Sequence, residues 1–345
     1  MGRDPKKRSA GLNLALVLIS VLVVLGTTEV VLSSLAPEDY MRTPARQPED
    51  DWIERIHQPS EIAGLDFELS PNRQKKIEGV WVRTNSFGMR GAEPQAAHDQ
   101  SVRRIVTLGD SFTFGFRVPV EAAYPDALEQ QLNLNPEAPR VEVLNFGVCG
   151  YTTRDEATVL RSKAMHWDPE LVIVGYVLND PEIDPVQPLT SYFQNPAWWQ
   201  RFDVMRRLAK LKNVLSIKFR GGGDYVRYLH SPGHPKWRSV EAGFDDIRQA
   251  TEKAGVPVLL VIFPDNYWDK WSTYPYEDIH LQVAEAARAR GFDVLDLYET
   301  YSGYSPRELR VRRRDPHPSV MGHGVTATAI AEWIAGKGQD PTPSG

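Results

Sequence analysis

From Arg103 onward, short apolar runs alternate with amphipathic ones, and this alternation restricts the fold more than any other feature of the chain. Strand-like runs cover Arg104–Leu108, Val141–Asn145, Leu171–Tyr176, Val256–Phe263 and Phe292–Leu297. Helix-like runs cover Val120–Leu132, Thr153–His166, Val240–Ala254, Tyr276–Arg290 and Met321–Ile334. Strands nearly free of polar residues, separated by helices, indicate a parallel sheet covered on both faces, in the α/β class. Gly255 and Gly291 stand just past two of the helices, where a left-handed cap is expected.

In an open parallel sheet, ligands bind beyond the carboxyl ends of the strands. Four segments fall at that edge. Ser111, in Thr107-Leu-Gly-Asp-Ser-Phe-Thr-Phe-Gly115, follows the first strand. Gly150, in Asn145-Phe-Gly-Val-Cys-Gly-Tyr-Thr-Thr153, follows the second, and Asn179, in Val174-Gly-Tyr-Val-Leu-Asn-Asp180, follows the third. Asp315 and His317, in Asp315-Pro-His-Pro-Ser319, lie between the fifth strand and the last helix. Together they offer a nucleophile, amide donors for an oxyanion, a base and an acid to orient it, which are the parts of a serine hydrolase. Other readings of single residues stand beside this one. Ser111 also suits a helix N-cap, Gly147 and Gly150 a tight turn, and Asn179 a loop cap. Asp110 and Asp180 suit loop-organising bonds to backbone. His323 competes with His317 as the base, and Cys149 reads as a buried structural thiol.

These blocks resemble the GDSL/SGNH hydrolases, a family of esterases, lipases, thioesterases and carbohydrate deacetylases. The similarity spans about Arg103 to Trp333. The resemblance implies a three-layer, doubly wound, flavodoxin-like sandwich of about five strands. It implies Ser111 as nucleophile, His317 as base, and Ser111, Gly150 and Asn179 as the oxyanion hole, with no cofactor. The absence of Gly-x-Ser-x-Gly around Ser111 separates the chain from the α/β-hydrolase elbow. One departure concerns the acid. The family's aspartate stands three residues before the histidine, where this chain has Arg314; Asp315, two before, is the nearest acid, and without it the site is a dyad. The expected function is cleavage of an acyl ester of a glycan or lipid through an acyl-serine. A sugar hydroxyl in place of water would make the same site an O-acyltransferase. The irregular aspartate spacing leaves room for a catalytically silent, anchored glycan-binding or assembly protein.

The rest of the chain organises around this domain. Residues 1–11 form a basic head with Arg3, Lys6, Lys7 and Arg8, followed by an apolar run within residues 12–35. That run is long enough to cross roughly 30 Å of hydrocarbon as a helix. The basic head orients it with the N-terminus inside and the catalytic domain on the outer side of the cytoplasmic membrane. A cleaved signal peptide is the rival reading. Residues 36–100 read as a stalk and N-terminal extension, with a short strand at Val80–Thr84 and a turn at Asn85–Gly88. The hydrolase domain covers 101–337, with an insertion at 181–239 carrying Trp198, Trp199 and Trp237 and a helix expected near Arg201–Leu215. These tryptophans, with Trp268 and Trp271, suit either a lid core or a platform for an acyl chain or sugar face. A net charge of −5 without a basic, aromatic-interleaved patch gives nucleic-acid binding no support. Neither His230/His234 nor His317/His323 comes with a metal-ligand set. A single cysteine excludes an intrachain disulfide.

Overall fold

The computed structural model describes residues 5–35, 56–77, 79–95, 101–181, 223–313 and 315–337, with a few positions between 204 and 219. A five-stranded parallel sheet is built from β5 (Val102–Gly109), β6 (Arg140–Asn145), β7 (Leu171–Val177), β8 (Val258–Phe263) and β9 (Asp293–Asp296). Their order across the sheet is β6-β5-β7-β8-β9. In chain order of the five strands this is 2-1-3-4-5, the flavodoxin-like winding, with its switch point between β5 and β7.

The central strands β7 and β8 carry no charged residue because both faces are covered. Val106, Leu108, Val172, Val174, Leu260 and Ile262 face one core, together with Ala157, Leu160, Val240, Phe244, Val283 and Ala287. Those partners come from α4 (Thr153–Ser162), α6 (Pro235–Glu252) and α7 (Glu277–Arg288). The alternate residues Ile105, Ile173, Leu259 and Val261 face a second core, with Tyr124, Leu128, Leu297, Tyr301, Ala327 and Ile330. These lie on α3 (Tyr124–Leu132), α8 (Leu297–Ser302) and α10 (Val320–Lys337). The period of two thus divides each strand between two helical layers. Burying each large side chain contributes about 1.5–3 kcal/mol.

Two expected helices break early. The run Val120–Leu132 is a 3-10 turn over Val120–Ala122 followed by α3, because Pro125 has no N–H to donate to the Glu121 carbonyl. Thr153–His166 divides into α4 and a 3-10 turn over Ala164–Trp167. α6 begins ahead of the expected Val240, where Pro235 occupies the first turn and the His234 ring accepts from Lys236 N–H. Gly255 and Gly291 adopt φ of +65° and +80°, as their cap positions require.

The N-terminal extension is more structured than its composition suggests. From Ile56 it forms two antiparallel hairpins, β1 (His57–Pro59) with β2 (Phe67–Leu69) and β3 (Gln74–Ile77) with β4 (Val80–Arg83). Phe67, Leu69, Ile77, Val82 and Met89 join the first core. The turn expected at Asn85–Gly88 is present, closed by Gly88 N–H to Asn85 O at 3.1 Å. Residues 36–55 lie outside the described residues, as do Trp198, Trp199 and nearly all of the helix expected near 201–215.

A separate unit contains α1 (Pro5–Leu35), which covers the run expected to span a membrane. Its apolar residues from Leu16 to Val24 are exposed. Among the described residues, no helix is long and apolar enough to cross a membrane.

Candidate active site

Ser111 opens a single turn of helix, α2 (Ser111–Phe114), directly after β5. Asp110 caps it: Phe112 N–H donates to Asp110 Oδ1 at 2.8 Å. A cap of this kind contributes about 1 kcal/mol. The Asp110 carboxyl is fully buried and raised, because loss of solvent outweighs the Phe112 N–H, the nearby His317 and the neighbouring polar groups of Asn179 and Ser111. Gly147 lets this turn lie against the strand edge; a Cβ there would stand 2.4 Å from Phe114 N. The structure therefore gives Gly147 a close-packing role rather than a turn role.

The serine meets its partner from the far end of the domain. Ser111 Oγ–H donates to His317 Nε2 at 2.8 Å, across 206 residues of sequence. His317 lies on β11 (Asp315–Pro318), which pairs with β10 (Arg310–Arg312) just before α10. On the other side of the ring, His317 Nδ1–H donates to Asp315 Oδ1 at 2.5 Å, and the backbone N–H of His317 donates to the same oxygen at 3.2 Å. The two-residue spacing therefore suffices, because Asp315 folds back over its own strand in a local turn. Arg314 lies outside the described residues. Phe112 and Phe116 flank the imidazole, with ring centroids 5.4 and 5.0 Å away.

Arg117, which no motif singles out, completes the arrangement. Its Nε lies 2.8 Å from Asp315 Oδ2. The pairing is ionic, since the N–H is not directed at the oxygen. Burial acts to raise the Asp315 carboxyl; the hydrogen bonds and charge of His317, with the Arg117 guanidinium, outweigh it and hold the group below its ordinary range. Arg117 adopts φ +67°, a left-handed conformation uncommon for a residue with a side chain. The loop is clamped in that shape by Arg90 of the N-terminal extension. Its guanidinium donates to the carbonyls of Phe114 and Gly115, and to Val118 O at 2.6 Å.

The amide donors gather at the same edge. Gly150 adopts φ +88°, which turns the chain after β6. The N–H groups of Ser111 and Gly150 donate to no acceptor among the described residues. Asn179 follows β7, and its amide hydrogen-bonds Asp110 while its Oδ1 has no partner. An NH₂ carries two hydrogens, so one remains beyond the Asp110 bond.

The competing assignments separate cleanly. His323 is fully buried, accepts from Tyr124 N–H at 3.2 Å, and is pushed down to about 3 by burial and the charges of Arg90 and His317. It is a neutral core residue. Cys149 is buried, and burial raises its thiol well above the ordinary range, so it is inert. Trp237 is core, Trp271 donates to Tyr304 O at 2.8 Å, and Trp268 packs on Tyr276. Asp180 is buried and accepts from Thr153 Oγ at 3.5 Å. No group of three metal-ligating side chains occurs among the described residues.

A serine, imidazole and carboxylate in one hydrogen-bonded chain, beside unpaired amide donors, can transfer an acyl group. Comparison with known proteins bears on the same region. The GDSL-like Lipase/Acylhydrolase family matches residues 107–325, more than half of the chain. No curated protein sequence matches it. The lipase/acylhydrolase of Enterococcus faecalis is 20% identical over 68% of this chain and 96% of its own, with a TM-score of 0.42. The acetylxylan esterase of Geobacillus stearothermophilus is 19% identical over 67% and 94%, with a TM-score of 0.44. A G-D-S-L lipolytic protein of Desulfitobacterium hafniense DCB-2 is 15% identical over 66% and 98%, with a TM-score of 0.41. At scores this low these structural likenesses carry no argument, whereas the family match covers every block that bears the site. The chain belongs to the GDSL-like lipase/acylhydrolase family and is an SGNH-type carboxylic ester hydrolase.

Proposed function

We propose that the chain hydrolyses an acyl ester of a glycan or lipid through an acyl-serine, with Ser111 as nucleophile, His317 as base and Asp315 as its orienter. The observation that carries this reading is the continuous chain from Ser111 Oγ through both nitrogens of His317 to Asp315. His317 Nε2 takes the Ser111 proton as Oγ attacks the ester carbonyl. The oxyanion receives the N–H groups of Ser111 and Gly150 and the remaining Asn179 amide hydrogen. Collapse expels the alcohol, which leaves with the proton from His317. Water, deprotonated by the same nitrogen, then attacks the acyl carbon and releases the acid. Nothing in these steps calls for a cofactor.

The oriented, charged carboxylate beside His317 favours turnover over a silent binding protein, because such an acid serves to hold the imidazole tautomer and its cation. An active-site serine phosphonate should label wild-type protein and not Ser111→Ala, and wild type should turn over a short-chain aryl ester. An unlabelled wild type with no turnover would end this reading. The proposal extends to location: the basic head and the apolar run support an N-terminal anchor with the hydrolase domain on the outer side of the cytoplasmic membrane. A C-terminal tag should then be protease-accessible on spheroplasts. A protected tag, or a mature chain beginning near Ala36, would refute the anchor without touching the chemistry.

A further inference from the structure

We propose, on the hydrolase reading above, that Arg90 is a positioning residue for all three members of the triad, which makes the N-terminal extension part of the catalytic apparatus. Arg90 is buried. Burial pulls its guanidinium down to about 10 against the charges of Asp126 and Glu121, so it stays charged at neutral pH. A buried cation is costly unless its donors find acceptors. Here they find one stretch of backbone: Nη1 donates to the carbonyls of Phe114 and Gly115, and Nη2 to that of Val118. The guanidinium also lies over the Phe114 ring, 4.6 Å from its centroid. Gly115 admits it, since a Cβ there would stand 2.8 Å from Arg90 Nη1.

The stretch so held, residues 115–118, touches every member of the triad. At one end the N–H groups of Gly115 and Phe116 donate to the Ser111 carbonyl, at 3.1 and 2.9 Å. In the middle the Phe116 ring flanks His317 at 5.0 Å. Next to it Arg117 Nε stands 2.8 Å from Asp315 Oδ2, and the Arg117 guanidinium lies 5.0 Å from the centre of the Phe116 ring. Gly115 and Arg117 are both left-handed, a conformation disfavoured for arginine, so this backbone needs an outside hold. Arg90 supplies it, with acceptors on both sides of Arg117. Arg90 is fixed in turn by its own region. Asn85 Oδ1 accepts from the N–H groups of Phe87 and Met89 at 3.0 Å, and Gly91 N–H donates to Arg83 O at 3.3 Å. The β3–β4 hairpin region thus reaches the reacting groups through one side chain, which acts by way of the loop and touches none of the reacting atoms.

The test uses the full chain, 4-nitrophenyl acetate, and Arg90→Gln alone and in an Arg117→Gly background, each assayed below its melting temperature. Arg90→Gln should lower kcat by about tenfold, because the triad is misaligned. KM should change less than about twofold, because a small ester makes no ground-state contact with the loop. In the Arg117→Gly background the same change should cost less than about threefold, since glycine holds that φ unaided and no guanidinium is left to aim. A well-folded Arg90→Gln with wild-type kcat would overturn the proposal. So would costs that multiply in the double variant, which would give Arg90 a role in the fold alone. Arg90→Lys keeps the charge and a compact donor head; if Arg90→Gln does not fold, Arg90→Lys carries the same two expectations and the same two refutations. Proton NMR reads the arrangement without chemistry. The low-field ring N–H signal of His317, identified by its absence from His317→Ala, should weaken or vanish in the Arg90 variant as the bond to Asp315 loosens. An unchanged signal would refute the positioning role even if the wild type hydrolysed no ester and the hydrolase reading itself failed.

Discussion

Arg117→Gly separates two effects that usually travel together. Glycine relieves the φ of +67° that arginine holds here, which stabilises the fold by about 0.5–1 kcal/mol. The same change removes the positive charge 2.8 Å from Asp315 Oδ2. Two unit charges at about 4 Å and an effective dielectric of about 20 attract by about 4 kcal/mol. The pair is only 18% and 14% exposed, so desolvation takes back most of this, leaving a net of about 1–2 kcal/mol. If that pairing fixes the carboxylate rotamer that holds His317, its loss appears in the rate. At 1.36 kcal/mol per decade, turnover of an aryl ester should fall about 5–30-fold. Thermal melting at pH 7 should be unchanged or slightly lower, because the relieved strain offsets only part of the lost pairing. The acid side carries a further signature. Asp315 is held below its ordinary range, so its contribution is present above its unfolded value near 3.9 and is lost as pH falls through the lower, folded one. Without Arg117 that loss begins at higher pH, and unfolding below about pH 4 should come earlier than in wild type. Asp315→Asn should cost more than Arg117→Gly, because an amide also favours the wrong imidazole tautomer. Full wild-type turnover in a well-folded Arg117→Gly would show that Asp315 needs no holding and that the argument is wrong.

Three further outcomes follow from the same geometry. His317→Ala should abolish ester turnover without lowering the melting temperature much, whereas His323→Ala should lose stability and retain turnover below its new melting point; a dead, stable His323→Ala would reverse the assignment of the base. Asn179→Ala should slow turnover by about 10²–10³ with folding intact, and a fully active variant would reduce Asn179 to a loop residue. Glu156 is fully buried, neither carboxyl oxygen has a partner, and burial with the charges of Asp110 and Asp155 raises it well above the ordinary range. A raised folded-state value means that stability is lost as pH rises from the unfolded value near 4.3 towards the folded one. Glu156→Gln should therefore raise the melting temperature, by more at pH 8 than at pH 5. A gain independent of pH would mean that the folded-state carboxyl is already charged across this range and is not held protonated.

Much of this protein could be read locally. Strand identity in β7 and β8 follows from runs that carry no charge and are buried at every position, the pattern of a doubly covered sheet. Ser111, Gly150 and Asn179 were visible because each closes a strand, and parallel strands bring all their carboxyl ends to one edge whatever the order of the strands. Asp315 and His317 were visible because their pairing is local, two residues apart on one short segment. The sheet order, and hence the meeting of Ser111 with a histidine 206 residues later, came from tertiary packing. So did the choice between His317 and His323. Both follow short polar segments near the last helix, and only packing buries one against Tyr124 N–H while leaving the other on Ser111. Arg117 was invisible for a stronger reason. Its contact lies 198 positions away, its conformation depends on Arg90 carbonyl clamps from a separate hairpin region, and no periodicity or spacing encodes an ion pair between such distant segments. Local propensity and hydrophobic period determined the elements and the edge; three-dimensional closure, which sums weak long-range contacts, decided which of the candidate groups touch.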